Sequence, residues 1–174
     1  MGKGLPRSMA RGAPQRQEII KQTIRIENFV VNVAAASTAI GFGTGSFADL
    51  PEGNILFLGA VSYLTLAGSG SDANLAATWT GTYSIGTVAT ADVDVSDSGE
   101  ADIIASQAIA AATAEVSPRT RGSNATQVML DNTDGSLELN LNVLVTAADI
   151  TDDTNVNLTV NGELQIVYVV LGDD

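Results

Sequence analysis

The chain of 174 residues contains neither cysteine nor histidine. The first absence excludes disulfides, zinc–thiolate centres and cysteine nucleophiles. The second removes the commonest general base, the Ser-His-Asp triad and imidazole-ligated metals. Aromatics are scarce at 5%, charged residues reach only 16%, and there are four prolines. Long apolar runs are missing as well. The most apolar stretch, Ile55 to Ala67, is too short to span a bilayer as a helix and is interrupted by Gly59, Ser62 and Thr65. No apolar segment follows the N-terminal positive charges, so an export signal is not expected and synthesis in the cytoplasm is. Asn124-Ala-Thr126 and Asn157-Leu-Thr159 fit the N-glycosylation pattern, but without an export segment both read as chance.

What is abundant is small and β-compatible: alanine, threonine, valine and serine, with 17 glycines. The length suits one domain with a real core. A disordered acidic chain would carry more charge and less Val, Ile and Leu.

Charge is distributed unevenly. Through Ile26 there are six basic residues (Lys3, Arg7, Arg11, Arg16, Lys21 and Arg25) against Glu18, a net of +5. From Glu27 onward only Arg119 and Arg121 oppose nineteen carboxylates, a net of −17. This division predicts a basic arm over residues 1–22 and an acidic body over 23–174. Such a body repels nucleic acid and anionic membranes, and the arm is suited to an acidic surface on a partner. Gly2, Gly4, Pro6, Gly12 and Pro14 keep the start of the arm out of regular structure: the plainer reading is a disordered tail, and the sharper one an arm that orders only against that partner.

The body reads as about eight strands. Ile24 and Ile26 share one face, whereas Phe29, Val31 and Val33 follow in the opposite phase, so a bulge is predicted at Glu27-Asn28. Ala39 to Phe47 is a weak strand or a loop. Leu50-Pro51-Glu52-Gly53 is a turn before a strand at Ile55 to Leu66. Ala77 to Ile85 reads as strand, and Ile103 to Val116, ambiguous in its alanine content, is assigned to strand too. Asp131 to Gly135 predicts a hairpin between Gln127–Leu130 and Leu137–Val145. In the second of those strands Leu137, Leu139, Leu141 and Val143 form one face, and Glu138, Asn140 and Asn142 the other. Asn161-Gly162 is expected to turn the chain after Val156, Leu158 and Val160. The pattern lacks a βαβ rhythm, and an all-β jelly roll or β-sandwich carrying an extended basic N-terminal arm is expected.

No catalytic frame emerges, so the chain is expected not to be an enzyme and to need no cofactor. Gly41-Phe-Gly43-Thr-Gly45 lacks the lysine and helix of a phosphate loop. Asp92-Val-Asp94-Val-Ser96-Asp97 begins like a calcium loop. Asp97 stands where such a loop needs glycine, and Ile103 where it needs glutamate, so the EF-hand pattern fails. An irregular oxygen-ligand site there, or at Asp149, Asp152 and Asp153, stays open beside the plainer reading of solvated acidic loops. Trp79 and Tyr83 share a strand face and are candidates for a subunit interface or a sugar platform, the core being the alternative. Arg119 and Arg121 are candidates for pairing with a neighbouring subunit.

The arm together with Leu50-Pro-Glu-Gly53, Ser84-Ile-Gly-Thr87, Leu139-Asn-Leu-Asn142 and the ending Val160-Asn-Gly-Glu-Leu-Gln-Ile-Val167 resembles capsid decoration (cement) proteins, small jelly-roll virion proteins of tailed bacteriophages. The resemblance implies a homotrimer on the outer capsid surface that bridges major capsid proteins and holds them against the pressure of packaged DNA. Lys3, Arg7, Arg11, Arg16, Lys21 and Arg25 would then anchor it, with no nucleic acid and no membrane as partner. Two other functions compete. One is a carbohydrate-binding jelly-roll module of a phage fibre or adhesin, and the other is a capsid protein that meets the genome through the arm.

Overall fold

The computed structural model describes residues 18–37, 40–68, 75–146, 150 and 155–172. These form nine strands: β1 (Ile20–Ser37), β2 (Ile40–Asp49), β3 (Gly53–Gly68), β4 (Gly81–Gly86), β5 (Ile104–Ile109), β6 (Thr120–Asn124), β7 (Val128–Asn132), β8 (Glu138–Val145) and β9 (Val156–Gly172). All pairings are antiparallel. One sheet runs β1-β9-β3-β6, with β7 continuing alongside β3, and the other runs β2-β8-β4-β5. The end of β1 leaves β9 and pairs with β2 from Ala34, joining the two sheets along one side. Strands nest as β1 on β9, β2 on β8, β3 on β7 and β4 on β5, which is a long two-stranded ribbon rolled upon itself. That is the jelly roll, and the expected fold class holds.

Period-2 alternation carries the core. Val31, Val33, Leu64, Leu66, Leu158, Val160 and Leu164 of the first sheet face Ile85, Leu139, Leu141, Val143 and Val145 of the second, all fully buried. Each such side chain contributes roughly 1.5–3 kcal/mol by leaving water. The Tyr83 hydroxyl shares a 3.0 Å hydrogen bond with Ser62 Oγ and ties β4 to β3 through the middle of that core.

The bulge at Glu27-Asn28 is present: the β1–β9 register shifts between Ile26 and Phe29, and Asn28 takes a left-handed φ of 52°. It also explains why Asn161-Gly162 does not turn the chain. β9 runs straight through that pair, and the Asn161 side-chain oxygen accepts the bulged Asn28 N–H at 2.8 Å. Leu164, Ile166 and Tyr168 then continue the phase of Val156, Leu158 and Val160.

Other expectations are corrected. β1 begins at Ile20, so residues 20–22 belong to the sheet and not to the arm. Ile20 pairs with Tyr168, whose hydroxyl donates to Gln22 Oε1 at 3.0 Å. The weak glycine-rich segment is a full strand, β2, because glycine lets it pass close to β1: a Cβ on Gly43 would stand 2.2 Å from the Asn32 carbonyl oxygen. Asp131 to Gly135 does turn the chain, closed by Gly135 N–H to Asn132 O at 3.0 Å. It makes no hairpin, however, because β7 pairs with β3 whereas β8 pairs with β2 and β4. Only Ile104–Ile109 of the 103–116 segment is strand, and Ala114 and Glu115 adopt left-handed φ values of 51° and 66°. β4 starts at Gly81, after a turn at residues 77–78.

Candidate functional site

Of the six predicted anchor residues, Lys3, Arg7, Arg11 and Arg16 lie outside the described residues. Lys21 and Arg25 do not belong to a separate arm; they stand on β1, exposed, alternating with the inward Ile20, Ile24 and Ile26. Arg119 and Arg121 are exposed too, Arg121 on β6 and Arg119 just before it. All four cations among the described residues therefore belong to the first sheet.

The register brings two of them into one transverse row. Arg25 on β1 stands opposite Glu163 on β9, Glu163 opposite Tyr63 on β3, and Tyr63 opposite Arg121 on β6. Arg119 joins the row from the chain before β6. Its guanidinium lies 5.0 Å from the Tyr63 ring centroid and 3.6 Å from Glu163 Oε1. A contact of this length at an exposed site contributes at most about 1 kcal/mol, and the ring contact about as much. Their role is to orient a cation. Lys21, two periods of the alternation before Arg25 on β1, borders a shallow groove of about 310 Å³ with Gly59, Ala60, Val61, Asn124, Gln165 and Val167. Cations, amides and short apolar side chains thus share the outer face of this sheet, with Glu163 the one carboxylate in the row.

Trp79 and Tyr83 are not on a surface at all. Both are fully buried in the single chain, which corrects their assignment to a subunit interface and removes the sugar platform. The indole Nε1 donates to Glu115 O at 3.0 Å, so Trp79 anchors the left-handed turn that follows β5.

The acidic segment between β4 and β5 is more ordered than its composition suggests. Its organiser is Asn142 on β8, placed by the alternation on the face away from the core and yet fully buried. Its Nδ2 donates to Val88 O and Glu100 O, both at 3.0 Å. Its Oδ1 accepts Thr90 N–H at 2.9 Å and Thr44 Oγ1–H at 2.7 Å. Ser84 Oγ adds a second donor to Glu100 O at 2.8 Å. The loop consequently lies flat on the second sheet; a Cβ on Gly86 would overlap Gly99 O at 2.0 Å. Asp102 closes the loop by accepting Thr87 N–H and Oγ1–H at 2.9 and 2.7 Å, while burial pushes its carboxyl above the ordinary range. Sequence reasoning placed Asn142 on the strand face opposite the core but had no local signal that a distant loop covers it there. Three polar residues alternating on one strand, Glu138, Asn140 and Asn142, marked only the face.

Within the loop, Asp94 Oδ1 caps Ser96 and Asp92 Oδ1 caps Asp94 N–H. These bonds to Ser96 hold the Asp94 carboxyl below the usual range. Among the described residues, no three acidic side chains converge as a ready metal-ligand set, and no helix is long and apolar enough to cross a membrane. Asp149, Asp152 and Asp153 lie outside the described residues. No protein-family model matches the chain, and no curated protein matches it either.

Proposed function

We propose that the protein is a non-enzymatic structural component of a virion: a capsid decoration protein that sits on the outside of a phage shell, bridges neighbouring major capsid proteins and braces them against internal DNA pressure. The observation that carries this reading is the charge partition mapped onto the jelly roll. The outer face of β1-β9-β3-β6 gathers Lys21, Arg25, Arg119 and Arg121, and the chain enters this face at β1 directly after the basic 1–17 segment. Among the described residues, Asp92, Asp94, Asp97, Glu100 and Asp102 lie in the loop between β4 and β5, against the second sheet. A molecule so divided presents one cationic face to an acidic scaffold and an acidic remainder to solvent. Three copies seated on a three-fold position multiply a weak individual contact by effective concentration. The competing carbohydrate-binding reading has lost its aromatic platform to the core.

The test is occupancy on purified particles. Deleting residues 2–17 is expected to reduce occupancy, and replacing Arg25, Arg119 and Arg121 together by glutamate to abolish it with the fold intact by circular dichroism. Wild-type binding is expected to fall as salt rises from 50 to 500 mM, since exposed charges are screened beyond about 8 Å at physiological ionic strength. Occupancy unchanged by both variants and flat across salt refutes the cationic docking face.

A further inference from the structure

The β4–β5 loop holds a feature that a solvated acidic turn does not require. Glu100 is 93% buried (7% exposed), and its Oε2 has no hydrogen-bond partner. Its backbone carbonyl is pinned by Ser84 and Asn142, which anchors this stretch of the loop against the second sheet. An unpartnered buried carboxylate oxygen is costly, and it calls for a proton, a water or an ion to meet it.

The surroundings are rich in oxygen and poor in protons. Thr90 Oγ1 lies 3.1 Å from Asp92 O and 3.4 Å from Asp94 O, and it also faces the Glu100 carboxylate. Three acceptors thus compete for one hydroxyl proton. Ala91 N–H supplies one further donor to Glu100, and the charges of Asp92 and Asp97 lie near enough to disfavour its ionised form. No cationic side chain of the described residues is in this segment to compensate, since all four are on the first sheet.

We propose that this loop binds a calcium ion, with the buried Glu100 carboxylate as its central ligand, the carbonyl oxygens of Asp92 and Asp94 and the Thr90 hydroxyl beside it, and the Asp92 and Asp97 side chains supplying charge. The donor set is hard oxygen throughout, which excludes the softer transition metals. A site of backbone carbonyls and a carboxylate on an irregular loop suits the variable geometry and longer bonds of calcium. Magnesium demands a tighter octahedron and gives up its water reluctantly. With one buried carboxylate at its centre, the site belongs with weak extracellular-type modules, at a Kd of roughly 10⁻⁴–10⁻³ M. Calcium would neutralise Glu100, meet Oε2 and relieve the repulsion from Asp92 and Asp97. This inference does not depend on the capsid reading.

The experiment uses the full chain stripped with chelator and then titrated with CaCl₂ or MgCl₂, followed by calorimetry and thermal melting. Calcium is expected to bind one ion per chain and to raise the melting temperature, and magnesium at the same concentration to give no comparable shift. Glu100→Gln is expected to melt at or above the wild type without metal, because a buried charge is gone, and to lose the calcium shift. Asp97→Asn, a surface change that leaves folding unaltered, is expected to weaken calcium binding several-fold. Absence of calcium binding in the wild type overturns the proposal. So does a stabilisation that magnesium reproduces and Glu100→Gln retains, because that is general screening of the acidic body. Calcium affinity identical in the wild type, Asp97→Asn and Glu100→Gln also overturns it.

Discussion

Asn142→Ala is the most informative single perturbation of the fold, because this one side chain joins four partners: Val88 O, Glu100 O, Thr90 N–H and Thr44 Oγ1. Each hydrogen bond contributes about 0.5–1.5 kcal/mol net, and leaving a buried partner unsatisfied costs about 1–3 kcal/mol. The partners are not equal. Glu100 O keeps its bond from Ser84, and Thr44, which is not fully buried, is able to turn to water. Val88 is half exposed, so its carbonyl is able to turn to water as well; Thr90 N–H, in a buried bond, is the group truly stranded. The expected loss is about 3 kcal/mol, a large share of the roughly 5–15 kcal/mol that keeps a domain folded. Some of this is avoidable if the loop lifts and lets water in, so global unfolding alone does not suffice as an assay. Urea denaturation gives the global term. Amide hydrogen exchange resolves the local one, with protection expected to fall at Val88, Thr90 and Glu100 and to persist at Leu141 and Val143. A stability loss below about 0.5 kcal/mol together with unchanged exchange at Thr90 would refute the claim that Asn142 holds the loop down.

Tyr83→Phe removes the hydrogen bond to Ser62 that bridges the sheets and is expected to cost about 1–2 kcal/mol in urea denaturation, with Ser62→Ala partly restoring the loss in the double variant. Trp79→Ala is expected to cost about 3–5 kcal/mol, or to prevent folding, because its indole is fully enclosed; a freely folding variant of wild-type stability would contradict its place in the core. Glu100 and Asp102 are both pushed above the ordinary carboxyl range, chiefly by burial. The folded state therefore takes up their protons at higher pH than the unfolded state does. Stability is expected to rise as pH falls from neutral toward about 4, and Glu100→Gln to flatten that slope in metal-free buffer. Asp94 and Asp134 act in the opposite sense: bonded to Ser96 and Ser136, they favour the folded state above the ordinary range and lose that contribution in stronger acid.

The strand faces were legible in the sequence because alternation is a local property. Ile24 and Ile26 against Phe29, Val31 and Val33 revealed even the bulge. Pairing partners were not legible, since they depend on contacts far along the chain. Asp131 to Gly135 has the composition of a hairpin and turns as one, yet delivers its two strands to different sheets. Asn161-Gly162 resembles a turn by residue type, but Asn161 serves a bulge on a strand 133 residues away, a role no local window contains. Trp79 and Tyr83 were ambiguous for the same reason: aromatic residues suit a core and an interface equally well, and only the placement of β8 and β3 decides. The charge division was visible from counting alone. That its last four cations converge on one sheet followed from the β1-β9-β3-β6 order, which counting does not supply.

The position of β9 has a consequence for biosynthesis. It is the final strand of the nine to leave the ribosome, yet it lies between β1 and β3 and supplies both with their main partner. Until it emerges, two of the longest strands wait with bare hydrogen-bonding edges, and the first of them has been waiting since the start of translation. The nascent chain can zip the short β4–β5 ribbon early, but the outer turns of the roll close only after translation has passed Gly172. Closure over so long a contour is slow, and in that interval the uncovered edges are the molecule's main exposure to mispairing with its own copies.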